Sequence, residues 1–416
     1  MSVERPASIG SSGDQTAVTT VVVPPPLLPP RARLYAGLLA GFALGVAAHG
    51  LLLRPAETWP VLLVGAFWFL SLGVAGLFFF AGQRITSARW SAGLRRAPEA
   101  LMLILPWAAV AMLIIYVAGR GTLYSWAHPG AFAGDPEIAG RGRYLTPGGV
   151  LIRSLVTFVL WSLCAWRLRR LSLVQDAQPG RNLALHESMT RTSAAFVVLF
   201  LPTFTATAYD WILSLEPHWF STMFAVYVFA GTFVQGIAAV TLIVLLLRHR
   251  GLLPDEIAGP EQLHDLGKML FAFSIFWAYI WVSQYLLIWY GNLPEEIPYY
   301  IKRTQGAWLP LFVCNFIVNW VLPFTILLSA AAKRRPRVLG GVAALLLLGH
   351  WLDLYVMVVP ATTASSAWPG LHALAIAAGA GAVAFLLAAR HLRRAPLVPA
   401  ADPVLAADRQ TGAVHL

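Results

Sequence analysis

Long apolar stretches recur along this sequence, and they constrain its fold more than any other feature. A helix needs roughly 20 apolar residues, at about 1.5 Å of rise each, to cross a bilayer. The chain is 58% hydrophobic and 12% charged, with a mean hydropathy of +0.67, which is typical of a protein dissolved mostly in lipid. We therefore predict an all-α integral membrane protein with about ten transmembrane helices. They are predicted at 33–53, 60–81, 98–118, 147–167, 191–212, 220–247, 266–291, 306–331, 338–359 and 370–390.

Lysine and arginine are distributed unevenly between the two sides of these predicted helices. Of the 30, 21 fall in the gaps on one side, 7 on the opposite side and 2 in the tails. Basic residues in short loops resist translocation, so the richer side is predicted to face the cytoplasm. The sequence thus predicts a multi-pass protein of the bacterial inner membrane, with both termini in the cytoplasm. The seven exceptions are Arg54, Arg120, Arg141, Arg143, Arg153, Lys302 and Arg303.

The two ends of the chain are polar and differ from the apolar region between them. Residues 1–30 contain a Pro-rich run at 23–26 and lack the basic-then-apolar order of a signal peptide. We predict that 1–30 and 397–416 are disordered cytoplasmic tails and that 31–396 form the transmembrane domain.

Charge and cysteine content limit the partners and cofactors. A net charge of +11 would suit nucleic acid, but the basic residues lie at helix ends, where topology and anionic lipid explain them. Cys164 and Cys314 are far apart, so no zinc or iron–sulfur site is predicted. Haem held between facing helices would need paired histidines, whereas only His49 and His350 are predicted inside the membrane. We predict no nucleic-acid partner, no metal, no haem and no covalently bound cofactor.

The ninth predicted helix carries two ionisable residues in its apolar interior. A charge buried in a bilayer costs about 2.5–3.5 kcal/mol on insertion scales, so such residues are candidate functional sites. His350 and Asp353 are three positions apart and share a helix face. They would lie about 18 and 22 Å from the cytoplasmic helix start. We predict a proton relay, and the alternative is a structural His–Asp hydrogen bond between two bundles.

Two more groups of polar residues lie at the ends of predicted helices. Asp210, with Glu216 and His218 in the following turn, forms either an acidic, hydrated mouth at the outer boundary or caps for helix ends. His264 and Asp265 begin the seventh helix, where they either open an inner proton path or interact with the helix dipole. Asp210 and His218 are therefore candidates for the outer part of a proton path, and His264 and Asp265 for its inner entry.

Small residues and amides inside the predicted helices have structural explanations. Gly37, Gly41 and Gly45 form a small-xxx-small face on the first helix, which predicts close packing against another helix. Three amides are predicted to hydrogen-bond between helices for a modest gain, and they are Gln235, Asn315 and Asn319.

Several blocks of the sequence resemble one known family. Residues 264–273 read HDLGKMLFAF and residues 277–296 read WAYIWVSQYLLIWYGNLPEE. Shorter blocks are YDWI at 209–212, EPHWF at 216–220 and GHWLD at 349–353. Together they resemble the shorter NrfD-like membrane subunits, called ActF, of alternative complex III. The resemblance covers nearly the whole membrane region.

This resemblance implies a subunit of a respiratory or photosynthetic quinol:electron-acceptor oxidoreductase, such as a quinol:cytochrome c oxidoreductase. The implied partners are a second, longer NrfD-like membrane subunit, an iron–sulfur subunit, multihaem and monohaem cytochromes and small membrane subunits. It also implies two four-helix bundles, at about 60–212 and 220–359, with one flanking helix at each end. A quinone or menaquinone is a candidate ligand, with Gln284 and Tyr285 as candidate contacts, because its headgroup needs only a pocket with one or two hydrogen-bonding side chains.

Two other functions are compatible with the same residues. A secondary transporter would also use an intramembrane His/Asp site and Pro-interrupted helices. A cytochrome b type redox subunit would need histidine pairs that this sequence lacks. Redox partners that copurify with the chain would exclude the first, and an absorption spectrum of the isolated subunit would decide the second.

Overall fold

Ten long apolar helices dominate the computed structural model, which describes residues 28–132, 138–177, 183–362, 367–399 and 401–405. Within these ranges the regular secondary structure is entirely helical, which confirms an all-α membrane protein with about ten spans. The spans are Pro30–Leu53 (α1), Pro55–Ile85 (α2), Arg96–Leu123 (α3), Pro147–Ala177 (α4), Leu183–Trp211 (α5), Phe224–His249 (α6), Pro260–Gly291 (α7), Trp308–Leu327 (α8), Pro336–Thr362 (α9) and Leu371–Leu392 (α10).

Two of the spans are irregular, and short helices join several others. Helix α3 is interrupted between Arg96–Met102 and Leu105–Leu123, and α8 contains a π-helical turn at Ile317–Val321. Short α-helices occur at Asp255–Ala258, Pro298–Thr304 and Ala330–Arg334. Short 3₁₀ helices occur at Ala92–Leu94, Ser125–Ala127, Ala139–Arg143 and Leu213–Leu215.

The helix termini meet at two ends of the molecule. We call the end where α1 begins and α10 ends the basic end, because most arginines and lysines lie there, and the other the opposite end. Contacts of Asp402 and its neighbours tie the termini of α2, α3 and α5 together at the basic end. At the opposite end Arg303 joins α9 to the segment after α5, because it donates hydrogen bonds to a backbone carbonyl of α9 and to the carboxylate of Glu216.

The eight central helices pack in two groups of four. In the first group α2 contacts α3 and α5, and α4 lies between α3 and α5; in the second, α6 contacts α7 and α9, and α8 lies between α7 and α9. Helices α2, α5, α6 and α9 join the groups, while α1 and α10 pack on each other and against α2. The candidate residues of α9 therefore lie within the α6–α9 group.

The central position of α2 and α6 depends on small residues where the two helices cross. A Cβ atom on Gly236 would lie 2.2 Å from the Cβ of Ala75, so only glycine permits this approach. In the most apolar part of α2, 83% of the residues are buried inside the protein, whereas the corresponding share in the flanking α1 is 11%.

The glycine face of α1 is not used within the described part of the chain. No atom lies within 4 Å of a Cβ built on Gly37, Gly41 or Gly45, so the packing predicted for this face is not made here. Helix α1 contacts α10 through a different face, where a Cβ on Gly379 would lie 2.2 Å from that of Ala43. Helix α1 therefore does make a close contact with another helix, but through Ala43 and Gly379 rather than through its three spaced glycines.

The predicted C-terminal tail needs correction, whereas the predicted N-terminal tail lies almost wholly outside the described residues. Helix α1 already begins at Pro30, and the residues before 28 lie outside the described ranges. Within the predicted tail 397–416, Leu397 and Asp402 are buried, and Asp402 accepts hydrogen bonds from Arg84 at 3.0 Å and Arg95 at 2.5 Å. The start of this tail is therefore packed on the protein by ion pairs that composition alone does not reveal, and residues 406–416 lie outside the description.

Candidate functional site

The carboxyl group of Asp353 lies at the centre of the α6–α9 group and receives one hydrogen bond from each of the other three helices. Tyr227 of α6 donates its hydroxyl to Oδ1, and Asn315 of α8 donates Nδ2–H to the same oxygen at 2.7 Å. Trp277 of α7 donates Nε1–H to Oδ2 at 3.0 Å. Asp353 is 0% exposed, and no lysine or arginine of the described ranges pairs with it. Neutral donors alone therefore compensate for its removal from water.

His350 lies one turn before Asp353, on the same face of α9. Its Nδ1 is 3.9 Å from Oδ2 of Asp353, which is too long for a hydrogen bond. Neither ring nitrogen has a hydrogen-bond partner among the described residues, although the side chain is only 1% exposed. The structure thus brings the two residues together as the sequence predicts, but the alternative of a direct structural His–Asp hydrogen bond is wrong for this conformation.

Two glycines provide the space for these side chains. A Cβ on Gly231 of α6 would lie 2.6 Å from Nδ1 of His350 and 3.3 Å from Oδ2 of Asp353. A Cβ on Gly349 would lie 2.5 Å from Oδ1 of Asn319. Since real Cβ contacts are longer than these, the site depends on glycine at both positions.

The π-helical turn of α8 orients the amide that binds Asp353. Pro323 has no N–H to donate to the carbonyl of Asn319, so a regular α-helix cannot continue here. Within this turn Asn319 donates to Oδ1 of Asn315 at 2.7 Å and to the carbonyl of Gly349 at 3.0 Å. The bond to Oδ1 turns the Nδ2–H of Asn315 toward Asp353, and π-helical turns are frequent at functional sites.

Glu216, Lys302 and Arg303 form a cluster of ion pairs at the opposite end. Arg303 donates to one carboxylate oxygen of Glu216 at 2.8 Å and Lys302 to the other at 2.9 Å. Burial acts to raise the pKa of Glu216, but the attraction of Arg303 and Lys302 outweighs it and holds this pKa below its usual value. The carboxyl group is therefore ionised at neutral pH.

The same cluster is attached to α9 one turn beyond Asp353. Pro360 cannot donate to the carbonyl of Val356, and Arg303 donates to that oxygen instead, at 3.0 Å. Arg303 also donates to the carbonyl of Met357 at 2.7 Å and is 1% exposed. The cluster therefore lies about 5 Å further along α9 than Asp353.

Asp210 belongs to the other group of helices. Arg153 of α4 donates to both of its oxygens, at 2.9 Å each, and Asp210 is buried rather than open to a hydrated mouth. His218 is exposed at the same end. The structure thus separates Asp210 from the α6–α9 group, and Glu216 is the acidic residue that it connects to α9.

The remaining predicted residues lie along α7. Asp265 forms an ion pair with Lys268 at 2.6 Å, and His264 is half-buried beside it at the basic end. Gln284 is buried with no partner for Oε1, and the ring of Tyr285 packs 5.1 Å from that of Tyr300. None of these four residues bonds to Asp353 in the described structure, whose three donors are those above.

A cavity of about 370 Å³ opens at the opposite end, between the segment before α4, the end of α5 and the segment that joins α5 to α6. Gln284 and Tyr285 are not among its lining residues. Its wall is mostly apolar, and Arg141, Tyr144 and Tyr209 are its larger polar residues. This volume is within the range of roughly 300–1,000 Å³ that is typical of small-molecule sites.

Sequence reasoning missed several residues of the site. Tyr227 and Trp277 are aromatic residues in apolar helices and look like packing residues, and Arg303 was counted only as an exception to the charge bias. Gly231 lies one turn after Tyr227 on the same face of α6, which is a signal that could have been used. Asn315 does hydrogen-bond between helices as predicted, but its partner is the candidate acid. Among the described residues no group of three or more His, Cys, Asp or Glu could hold a metal ion.

Comparison with known proteins adds no assignment. Neither models of known protein families nor curated proteins match this chain. What the site can do is therefore argued from its geometry. It offers a buried acid that can gain or lose a proton, a histidine with uncommitted ring nitrogens and a charged cluster one turn further along α9.

Proposed function

We propose that this chain is a proton-conducting membrane subunit of a respiratory or photosynthetic quinol:electron-acceptor oxidoreductase, and that Asp353 carries the proton through its α6–α9 group. The observation that supports this most is the carboxyl group of Asp353, which three neighbouring helices hydrogen-bond and with which no lysine or arginine of the described ranges pairs. Neutral polar groups would be enough to hold four helices together by hydrogen bonds. An ionisable group inside the membrane has a free-energy cost, and a functional role accounts for keeping it there. The oxidoreductase setting rests on the resemblance of the sequence blocks quoted above.

The proposed path follows α9. A proton arrives from the basic end at His350 and crosses to Asp353, over a gap of 3.9 Å that a ring rotation or one water molecule can span. It then leaves toward Glu216, which Arg303 connects to the Val356 turn. Because basic loops remain in the cytoplasm, we assign the basic end to the cytoplasm and the Glu216 cluster to the outer face of a bacterial inner membrane.

A quinone is the proposed organic ligand of the surrounding complex, and the cavity beside Tyr144 is a better place for its headgroup than Gln284 and Tyr285. The cavity combines an apolar wall with polar side chains that can hydrogen-bond to a quinone oxygen. The predicted partners, namely the longer membrane subunit, the iron–sulfur subunit and the cytochromes, would supply the redox centres.

The test uses the intact complex purified from native membranes through a tag on this chain. We expect haem and iron–sulfur proteins to copurify and to reduce an electron acceptor with quinol. In proteoliposomes Asp353→Asn should lower proton release per electron at least severalfold, because it removes the titratable group at nearly unchanged size. The amide oxygen can still accept from Tyr227 and Asn315, but the amide NH2 cannot accept the hydrogen bond from Trp277.

Two carboxylates provide a matched comparison for the exit. Glu216→Gln and Asp210→Asn each remove an acid paired with an arginine at the opposite end, and only Glu216→Gln should lower the proton yield. A fully assembled Asp353→Asn complex with unchanged proton yield would show that Asp353 is structural. A chain that copurifies with no redox protein would instead support the secondary transporter.

A further inference from the structure

A cleft of about 290 Å³ lies at the basic end, where the start of α1 meets the end of α10. Its rim is cationic and its wall is apolar. The side chains that matter for the argument are Arg33, Arg390, Arg393 and Arg394 on the rim and Leu28 and Leu386 on the wall. The two helices that flank the central groups thus bring together basic residues that are more than 350 positions apart in the sequence.

None of these four arginines pairs with an Asp or Glu of the described ranges. The contrast with the neighbouring helices is clear, because Arg84, Arg95 and Arg96 at the same end each bind at least one carboxylate. Four uncompensated guanidinium groups around one cleft repel each other, and a bound anion would offset that repulsion.

The position of the cleft indicates that the anion is part of a lipid. It lies at the helix ends, where lipid headgroups are found, and Leu386 is one turn deeper in α10 than Arg390. A cationic rim above an apolar wall matches a phosphate group that is joined to acyl chains. A free phosphate ion would contact the rim alone and would gain nothing from the wall.

We propose that this cleft binds an anionic phospholipid with two phosphate groups, of the cardiolipin class. A guanidinium binds phosphate through two parallel N–H donors, so four arginines can serve two phosphates. Basic pockets between transmembrane helices are known to suit such headgroups. The lipid would bridge α1 and α10, and α1 has the least internal packing of the spans described.

The test measures lipid retained by the full-length chain in nanodiscs, by native mass spectrometry. The nanodiscs contain phosphatidylcholine with either cardiolipin or phosphatidylglycerol at equal phosphate content. We expect cardiolipin to be retained in preference to phosphatidylglycerol. The double variant Arg390→Gln/Arg393→Gln should lose about tenfold or more of this retention, since each arginine near the surface adds to the attraction.

The matched control is Arg335→Gln/Arg337→Gln, which removes two exposed arginines at the start of α9, also at the basic end. It should retain cardiolipin like the unmodified chain. Equal losses in the two double variants, equal retention of the two lipids, or complete displacement of cardiolipin by inorganic pyrophosphate would each overturn the proposal. The single variants Arg390→Gln and Arg393→Gln replace the double variant if it does not fold, with a smaller loss expected.

Discussion

Asp353 differs from the other buried acids of this chain in the charge of its neighbours. Glu99, Asp210 and Glu216 each contact at least one guanidinium group, whereas Asp353 contacts an indole, a phenol and an amide. An acid paired with arginine stays ionised over a wide pH range, so it acts as a fixed negative charge, which in the proposed path draws the proton toward Glu216. An acid held by neutral donors can release and accept a proton at a smaller cost, which is the physical basis of the proposed role.

The space left by Gly231 gives a prediction for this residue. Gly231→Ala would place a methyl group 2.6 Å from His350, so the histidine must move or α6 and α9 must separate. We expect overpacking to lower the free energy of unfolding by about 1–3 kcal/mol, which lowers the thermal unfolding temperature. We also expect slower proton-coupled turnover in the purified complex.

The matched control for this change is Gly41→Ala in α1, where a Cβ meets no atom within 4 Å. It should leave unfolding unchanged or raise its temperature slightly, because alanine favours the helix. Equal unfolding temperatures of the two variants would mean that α6 and α9 can accommodate the extra methyl group without loss of stability.

At the scale of helices, hydropathy predicts that a span exists better than it predicts where the span ends. The prediction for α4 stopped at 167, but the helix continues to Ala177, because Arg169, Ser172 and Asp176 extend it into a buried polar cluster. The π-helical turn of α8 was also beyond prediction, since it depends on where the amide of Asn319 finds its partners. Pattern reasoning located His350 and Asp353 because one helix carries both. It missed Tyr227 and Trp277 because they lie on other helices, which only tertiary packing brings to Asp353.

The segment after α10 gives a prediction at this scale. Burial acts to raise the pKa of Asp402, but Arg84 and Arg95 outweigh it and hold the pKa below its usual value. A lowered folded-state pKa adds stability above the unfolded-state pKa, and this stability is lost as pH falls through the folded-state value. Asp402→Asn should therefore loosen the segment at neutral pH, whereas the unmodified chain should release it only in acid.

The measurement is the rate at which a protease removes a tag placed after residue 416, followed from neutral pH to below the usual carboxyl range of about 4. Breaking a buried ion pair costs about 3–5 kcal/mol and every 1.4 kcal/mol is tenfold, so the variant should be cut about a hundredfold faster or more at neutral pH. Glu256→Gln, which changes an exposed acid at the same end, is the control. No difference between the two variants would mean that Asp402 does not hold the segment in place.

For the whole molecule, the ten spans and the charge distribution give a topology that can be tested directly. Reporter fusions at positions 90, 180, 255 and 335 should report the cytoplasm, and fusions at 135 and 298 the outer side, since basic residues accompany the first set. A signal from the outer side at 180 would contradict both the number of spans and the orientation, because this position lies between α4 and α5.

The crossing of α2 and α6 at Ala75 and Gly236 also bears on how the protein can move. A transporter that works by alternating access rocks one helix group against the other in every cycle. Here the two groups are in close backbone contact, because any side chain larger than the hydrogen of Gly236 would force the backbones of α2 and α6 apart. On α6 the residues next to Gly236 are Gln235 and Ile237, and both are much larger than glycine. The two groups are therefore expected to stay in register as a single rigid frame, with protons crossing by side-chain movements inside it.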